Sequence, residues 1–177
     1  MAKTTEKSTL WQASGRSFLR DKNLGRLGEI RIKNHMSSYS NVTEVRDISS
    51  SRRGIDDDID FEIVYTDGHI STLEVKTDLM AHMTGNMVYE ELSNKNPGCF
   101  ARTKADHIAY MLEATGETYI LHPERFRALI AEVKENKEKA KELGIRATRM
   151  GQGAYGYLIP ITSIIKTDVV ECMIKVA

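Results

Sequence analysis

Cysteine is scarce in this chain: Cys99 and Cys172 are the two it has. That excludes a disulfide scaffold, an iron–sulfur cluster and a four-thiolate zinc site, each of which needs more thiols. Histidine adds little. His35, His69, His82, His107 and His122 are scattered with no pair at a ligand spacing, which argues against zinc. No stretch approaches the roughly 18 consecutive apolar residues of a membrane helix, and the first residues lack the apolar core of a signal peptide. A cytoplasmic protein with no membrane partner is therefore expected. Neither charge is in excess, since Lys+Arg and Asp+Glu both number 25. This balance gives no sign of a polyanionic partner, yet excludes none, because a local basic surface is what binds DNA.

What is present reads as one domain with a real core, given 177 residues of ordinary hydrophobic content. Residues 1–9 read as a disordered polar tail and 10–177 as the domain. Trp11 and Phe18 suggest a short docking helix. A helix over 23–37 follows, with Asn23 as cap and Leu24, Leu27 and Ile30 as its apolar stripe. Residues 37–54 read as loop with a strand near 42–48. Residues 58–65 alternate cleanly, with Ile59, Phe61, Ile63 and Tyr65 on one face, and 69–77 return as the second strand of a hairpin. Further strands are expected at 85–90, 118–121 and 155–161, helices at 103–112 and 123–143, and a last element over 162–176. Gly151-Gln152-Gly153-Ala154-Tyr155-Gly156 lacks the lysine and the strand–helix context of a phosphate loop, and reads as the entry to a strand. The order implies an α/β (α+β) architecture: a mixed sheet flanked by helices.

Within that order, Glu74-Val75-Lys76 is the informative triplet. Alternation places Glu74 and Lys76 on one face of their strand and Leu73 and Val75 on the other. The loop Thr66-Asp67-Gly68 decides what faces Glu74. A two-residue Asp67-Gly68 turn would pair Asp60 with Val75 and point the acids to opposite faces. A three-residue loop with Gly68 left-handed pairs Asp60 with Glu74 and Asp58 with Lys76, and is the expectation here. Two acids beside a lysine can hold a divalent ion for phosphodiester hydrolysis. Mg²⁺, which prefers hard oxygen ligands, is the natural ion, with Mn²⁺ as a substitute. Asp60 and Glu74 would be its ligands, the Val75 carbonyl a third, and Asp58 the second choice within Asp56-Asp57-Asp58-Ile59-Asp60. Lys76 would orient or deprotonate the attacking water, or stabilise the pentacovalent phosphate.

Gly25-x-x-Gly28-Glu29, the Asp60 strand and Glu74-Val75-Lys76 together resemble the PD-(D/E)xK nuclease superfamily. Thr84-Gly85-Asn86-Met87-Val88-Tyr89-Glu90, followed by Thr103-Lys104-Ala105-Asp106-His107, is similar to a segment of its phage-type members. The match spans about half the chain, residues 25–111; one departure is Ile59, where the family pattern has proline. The resemblance implies a restriction-endonuclease-like fold and a Mg²⁺-dependent endodeoxyribonuclease of the Holliday-junction-resolvase kind. It also implies Glu29 and Glu90 as auxiliary acids and Lys104 as a backbone-phosphate contact. The partners would be branched or double-stranded DNA and a second copy of the chain, since two symmetric cuts need two sites.

Arg52, Arg53, Lys95, Arg102 and Lys104 lie in segments beside the active face and could contact phosphates. The plainer readings are a solvated strand face with a cross-strand ion pair for Glu74 and Lys76, and simple solubility for the basic residues. Two other functions compete. One is an inactive nuclease-fold module that binds DNA or protein. The other is a restriction-like endonuclease with a sequence target.

Overall fold

A nine-residue strand, β3 (Ile70–Asp78), lies near the middle of a six-stranded mixed sheet in this computed structural model. The structure describes residues 18–93, 95–150 and 153–177. The expected tail, residues 1–9, and the helix read around Trp11 lie outside the described residues. The chain runs α1 (Phe18–Ser37), β1 (Val42–Asp47), α2 (Arg52–Asp57), β2 (Phe61–Tyr65), β3, α3 (Ala81–Thr84), β4 (Asn86–Ser93) and β5 (Asn96–Pro97). It continues through α4 (Cys99–Arg102), β6 (His107–Leu112), β7 (Glu117–Leu121), α5 (Pro123–Glu135) and α6 (Lys137–Leu143). The last elements are β8 (Arg146–Arg149), β9 (Tyr155–Pro160), α7 (Ile161–Ile164) and β10 (Val170–Lys175). The large sheet has the order β1-β2-β3-β6-β7-β10, and β5-β4-β9-β8 form a smaller one. Among the described residues, only β3 and β6 pair in parallel.

The large sheet is covered on both faces. On one, α1 contributes Ile32 to a cluster with Phe61, Ile63, Leu73, Val75, Ala109 and Met111. On the other, Ile108, Tyr110 and Leu112 meet Phe126, Ile130 and Val133 of α5 and Tyr89, Tyr157 and Ile159 of the smaller sheet. Burial on both sides corrects the expected helix over 103–112. The apolar run Ile108-Ala109-Tyr110-Met111-Leu112 is an interior strand, parallel to β3 and antiparallel to β7, whose alternate residues enter opposite cores, and such a run carries no period of its own. Thr103 and Asp106, at the start of that expected helix, act on neighbouring segments. Thr103 Oγ1 donates to the Asp58 carbonyl (2.7 Å), and Asp106 accepts from the Thr72 N–H (2.8 Å).

Four further expectations are corrected. Helix α1 begins before Asn23, which is interior to it, and its inward face is not the leucine stripe. Leu27 and Ile30 are exposed, while Gly28 and Ile32 are buried. A Cβ at Gly28 would sit 2.0 Å from Thr77 Oγ1, so backbone proximity to β3, not side-chain volume, decides which face docks. The strand expected from residue 58 begins at Phe61, because Ser51 caps an unforeseen helix, α2, whose left-handed end is Asp58 (φ 56°). The helix expected over 123–143 breaks at Asn136, whose side chain caps α6 by accepting from the Lys139 N–H (3.0 Å). The final segment divides into α7 and β10. Among the described residues, no helix is long and apolar enough to cross a membrane.

Candidate active site

The hairpin has the three-residue loop. Tyr65 and His69 close it (2.9 Å) around Thr66, Asp67 and a left-handed Gly68 (φ 84°). Phe61 pairs with Leu73, and Asp60 donates its N–H to the Leu73 carbonyl (3.0 Å), so Asp60 stands across from Glu74 as expected. Leu73 and Val75 are buried against α1, and Glu74 and Lys76 therefore take the opposite face. Asp58 is not opposite Lys76. It ends α2 before the strand starts, and reaches the site from the side.

Where β2 ends, β3 is left with a backbone donor that no strand answers. Asp60 supplies the acceptor: its Oδ2 takes the Val75 N–H (2.8 Å). Asp58 comes nearer to Glu74 in a different way. Its backbone carbonyl is held by Thr103 and its Oδ1 by Arg102, while Oδ2 is buried with no partner. A ligand oxygen of Asp58, one of Glu74 and the Cys99 sulfur all lie within 4.8 Å of one another. Cys99 Sγ donates to Glu74 Oε1 at 3.7 Å. The sulfur is placed there by Gly98, where a Cβ would fall 2.3 Å from the Glu90 carbonyl oxygen; α4 can start tight against β4 only because that Cβ is absent.

Burial pushes the Glu74 carboxyl up to about 9, assisted by the charges of Asp60 and Asp58 and opposed by Lys76 and the Cys99 hydrogen bond. The same desolvation raises Asp60 to about 6 against the pull of the Val75 N–H, with Glu29, Asp58 and Asp47 adding like charge. The Cys99 thiol is pushed up by burial and then by Glu74. Burial alone would lower Lys76, yet Cys99, Glu90, Glu74 and Asp78 more than offset it, and its ammonium is held above the ordinary lysine value. Added positive charge would relieve the repulsion between Asp60, Asp58 and Glu74.

The cleft beside these residues has a volume of about 470 Å³ and is lined by Glu74, Lys76, Asp78, Glu90, Cys99 and Tyr110, among others. Glu90, on β4, thus shares a cleft with Lys76. Glu29 is bound to Arg26 (2.6 Å), which also holds Asp47 (2.8 Å), and acts on Asp60 by charge. Four of the five basic residues are each paired with an acid of their own chain: Arg52 with Asp56 (3.5 Å), Arg53 with Glu62, Arg102 with Asp58, and Lys104 with Asp57 (2.6 Å); the fifth, Lys95, is exposed. Arg102 alone of these touches the acids of the site.

Two residues escaped the sequence reading. Cys99 carries one legible signal, a cysteine after Gly98 in a chain with only two. Asp78 carries none. It ends β3, accepts from the N–H groups of Met80 and Ala81 (2.7 and 2.8 Å), and receives the Tyr110 hydroxyl from β6, a contact that needs the parallel β3–β6 register. A larger cavity of about 630 Å³, near the starts of β3 and β6, is lined by His69, Lys104, His107, His122 and Arg127, and Asp58, Asp60, Glu74, Lys76 and Cys99 do not line it. Comparison with family models, with curated proteins and with solved structures gives no match for this chain.

Proposed function

We propose that this chain is a divalent-metal-dependent nuclease that hydrolyses DNA phosphodiester bonds, selective for branched DNA and active as a homodimer. One observation carries the reading. Acids from three segments gather beside Lys76, a partly buried ammonium that lines an open cleft and has no hydrogen bond or ion pair within 4.0 Å among the described residues. The donors suit a divalent cation, because Asp58 Oδ2 is buried without a partner and Asp60 and Glu74 are both destabilised as neighbouring anions. Asp58 and Glu74, with Asp60 behind them, would hold the ion. Bound there, it would neutralise developing phosphate charge and acidify a water, the chemistry that Mg²⁺ or Mn²⁺ supplies to such sites. Lys76 keeps its proton at neutral pH, which fits a donor to a phosphate oxygen better than a base. Glu90 shares Lys76's cleft, where its carboxylate can accept a proton from water or hold the ammonium in place.

The test is cleavage of a labelled four-way junction, beside linear single- and double-stranded DNA, with Mg²⁺ or Mn²⁺. Paired nicks are expected, reduced by about 10²–10³-fold in Lys76→Ala. Cleavage of linear strands alone would keep the site and change the substrate. A second reading, an inactive module that binds DNA or protein, is favoured by the internal pairing of Arg52, Arg53, Arg102 and Lys104, which leaves no ready basic face among these four. No cleavage of any substrate, with wild type and Lys76→Ala binding DNA alike in EDTA, would decide for that module.

A further inference from the structure

We infer that Cys99 is a metal ligand, and that Asp58, Glu74 and Cys99 form a site for a thiophilic divalent cation of the zinc, cobalt or cadmium kind. The inference deepens the nuclease reading by naming the class of ion, and rests on that reading only for what the ion would do. Three elements bring the ligands together: the left-handed end of α2, the middle of β3 and the first residue of α4. Their ligand atoms fall within 4.8 Å of one another, close enough for one cation to meet all three.

Two independent observations point to a ligand at this place. The buried, unpartnered Oδ2 of Asp58 belongs to a side chain whose other oxygen is fixed by Arg102, so the acid is oriented and left half satisfied. Lys76, partly buried in the adjoining cleft and without an ion pair among the described residues, is what an anionic group bound beside the cation would meet. The donor set then selects the metal. Mg²⁺ takes hard oxygens and keeps its waters, whereas a thiolate favours softer ions. Three protein ligands with a fourth position open is the arrangement of hydrolytic zinc sites. The scattered histidines argued against zinc only on the assumption that nitrogen would have to hold it. Binding replaces the Cys99 S–H and the Glu74 O–H bonds with bonds to the metal and gives both protons to water, with no change of oxidation state.

The experiment uses the full chain carrying Cys172→Ser, which leaves Cys99 as the sole thiol. Co²⁺ is titrated under argon and the near-ultraviolet thiolate-to-cobalt charge-transfer band is followed. The expected result is a band that saturates at one equivalent and resists excess Mg²⁺. It should be absent when Cys99→Ser is added, and should need about tenfold or more Co²⁺ in Asp58→Asn. Circular dichroism and thermal melts confirm that each variant is folded, and Cys99→Ala serves if the serine variant is not. The inference is overturned by a folded Cys172→Ser protein with no band, by a band that survives loss of Cys99, or by displacement at equal Mg²⁺. Junction cleavage is assayed on the same samples. Mg²⁺-dependent cleavage without a band removes the cysteine ligand and leaves the nuclease; a band without cleavage by any ion does the reverse.

Discussion

Replacing Glu74 by glutamine should stabilise the metal-free protein while destroying its affinity for the ion. The carboxyl is buried beside Asp60 and Asp58 and lifted from 4.5 to about 9. A folded-state value above the unfolded one means that the acid's protonated form fits the fold. Its contribution is whole below about pH 4.5, and is lost as pH rises towards about 9. At pH 7 the folded protein keeps a proton that the unfolded chain would release, at a cost of about 1.4 kcal/mol per pH unit, or about 3 kcal/mol in all. Glutamine has the shape of the protonated acid and never bears that cost. Water in the cleft will reduce the gain, so about 2 kcal/mol is expected, or a rise of roughly 4–8 °C in Tm for a chain of this length. The assay is thermal unfolding in EDTA from pH 4 to pH 9, with wild type and Glu74→Gln coinciding at the acid end and diverging above it. Added Mn²⁺ should raise wild type alone, because only it binds the ion. A Glu74→Gln protein no more stable than wild type at pH 8 without metal would refute the converging-acid argument.

Two further outcomes follow from close packing. Gly28→Ala places a Cβ 2.0 Å from Thr77 Oγ1 and should cost about 1–3 kcal/mol, read as a lower urea midpoint at unchanged slope. Tyr110→Phe removes a fully buried hydroxyl that donates to Asp78 and accepts from the Val88 N–H (3.0 Å); about 1–3 kcal/mol should be lost in the same assay.

The sequence made legible whatever depends on neighbours along the chain. Gly68 after Thr66-Asp67 specified the loop, the loop specified the register, and the register put Asp60 across from Glu74. Phe126, Leu129, Ile130 and Val133 announced the buried face of α5 by their spacing. Hidden were the contacts made by distant segments. Strand β6 was read as a helix because a run buried on both faces shows no period. Leu27 and Ile30 were read as core because apolar spacing cannot reveal that a glycine lets the helix dock by another face. Cys99 could not be assigned to the site without knowing that the loop after β4 folds back over β3.

The place of Asp58 shows why the acid run resisted a sequence assignment. Counting along a continued strand, Asp58 and Asp60 would both face Glu74's side, two residues apart, and Asp60 would be the closer ligand. Helix α2 ends at Asp58 instead, and the left-handed turn there lifts its carboxylate out of strand alternation. The consequence divides the two acids by role. Asp60 takes up the Val75 N–H that β2 no longer reaches, which fixes the edge of β3 and commits one of its oxygens. Asp58, anchored through Arg102 and Thr103, keeps a buried oxygen free beside Glu74 and Cys99. Each acid has one oxygen engaged, but it is Asp58 whose carboxylate lies within 4.8 Å of both Glu74 and Cys99, so the residue that the strand pattern ranks second is the one that the geometry offers to a cation first.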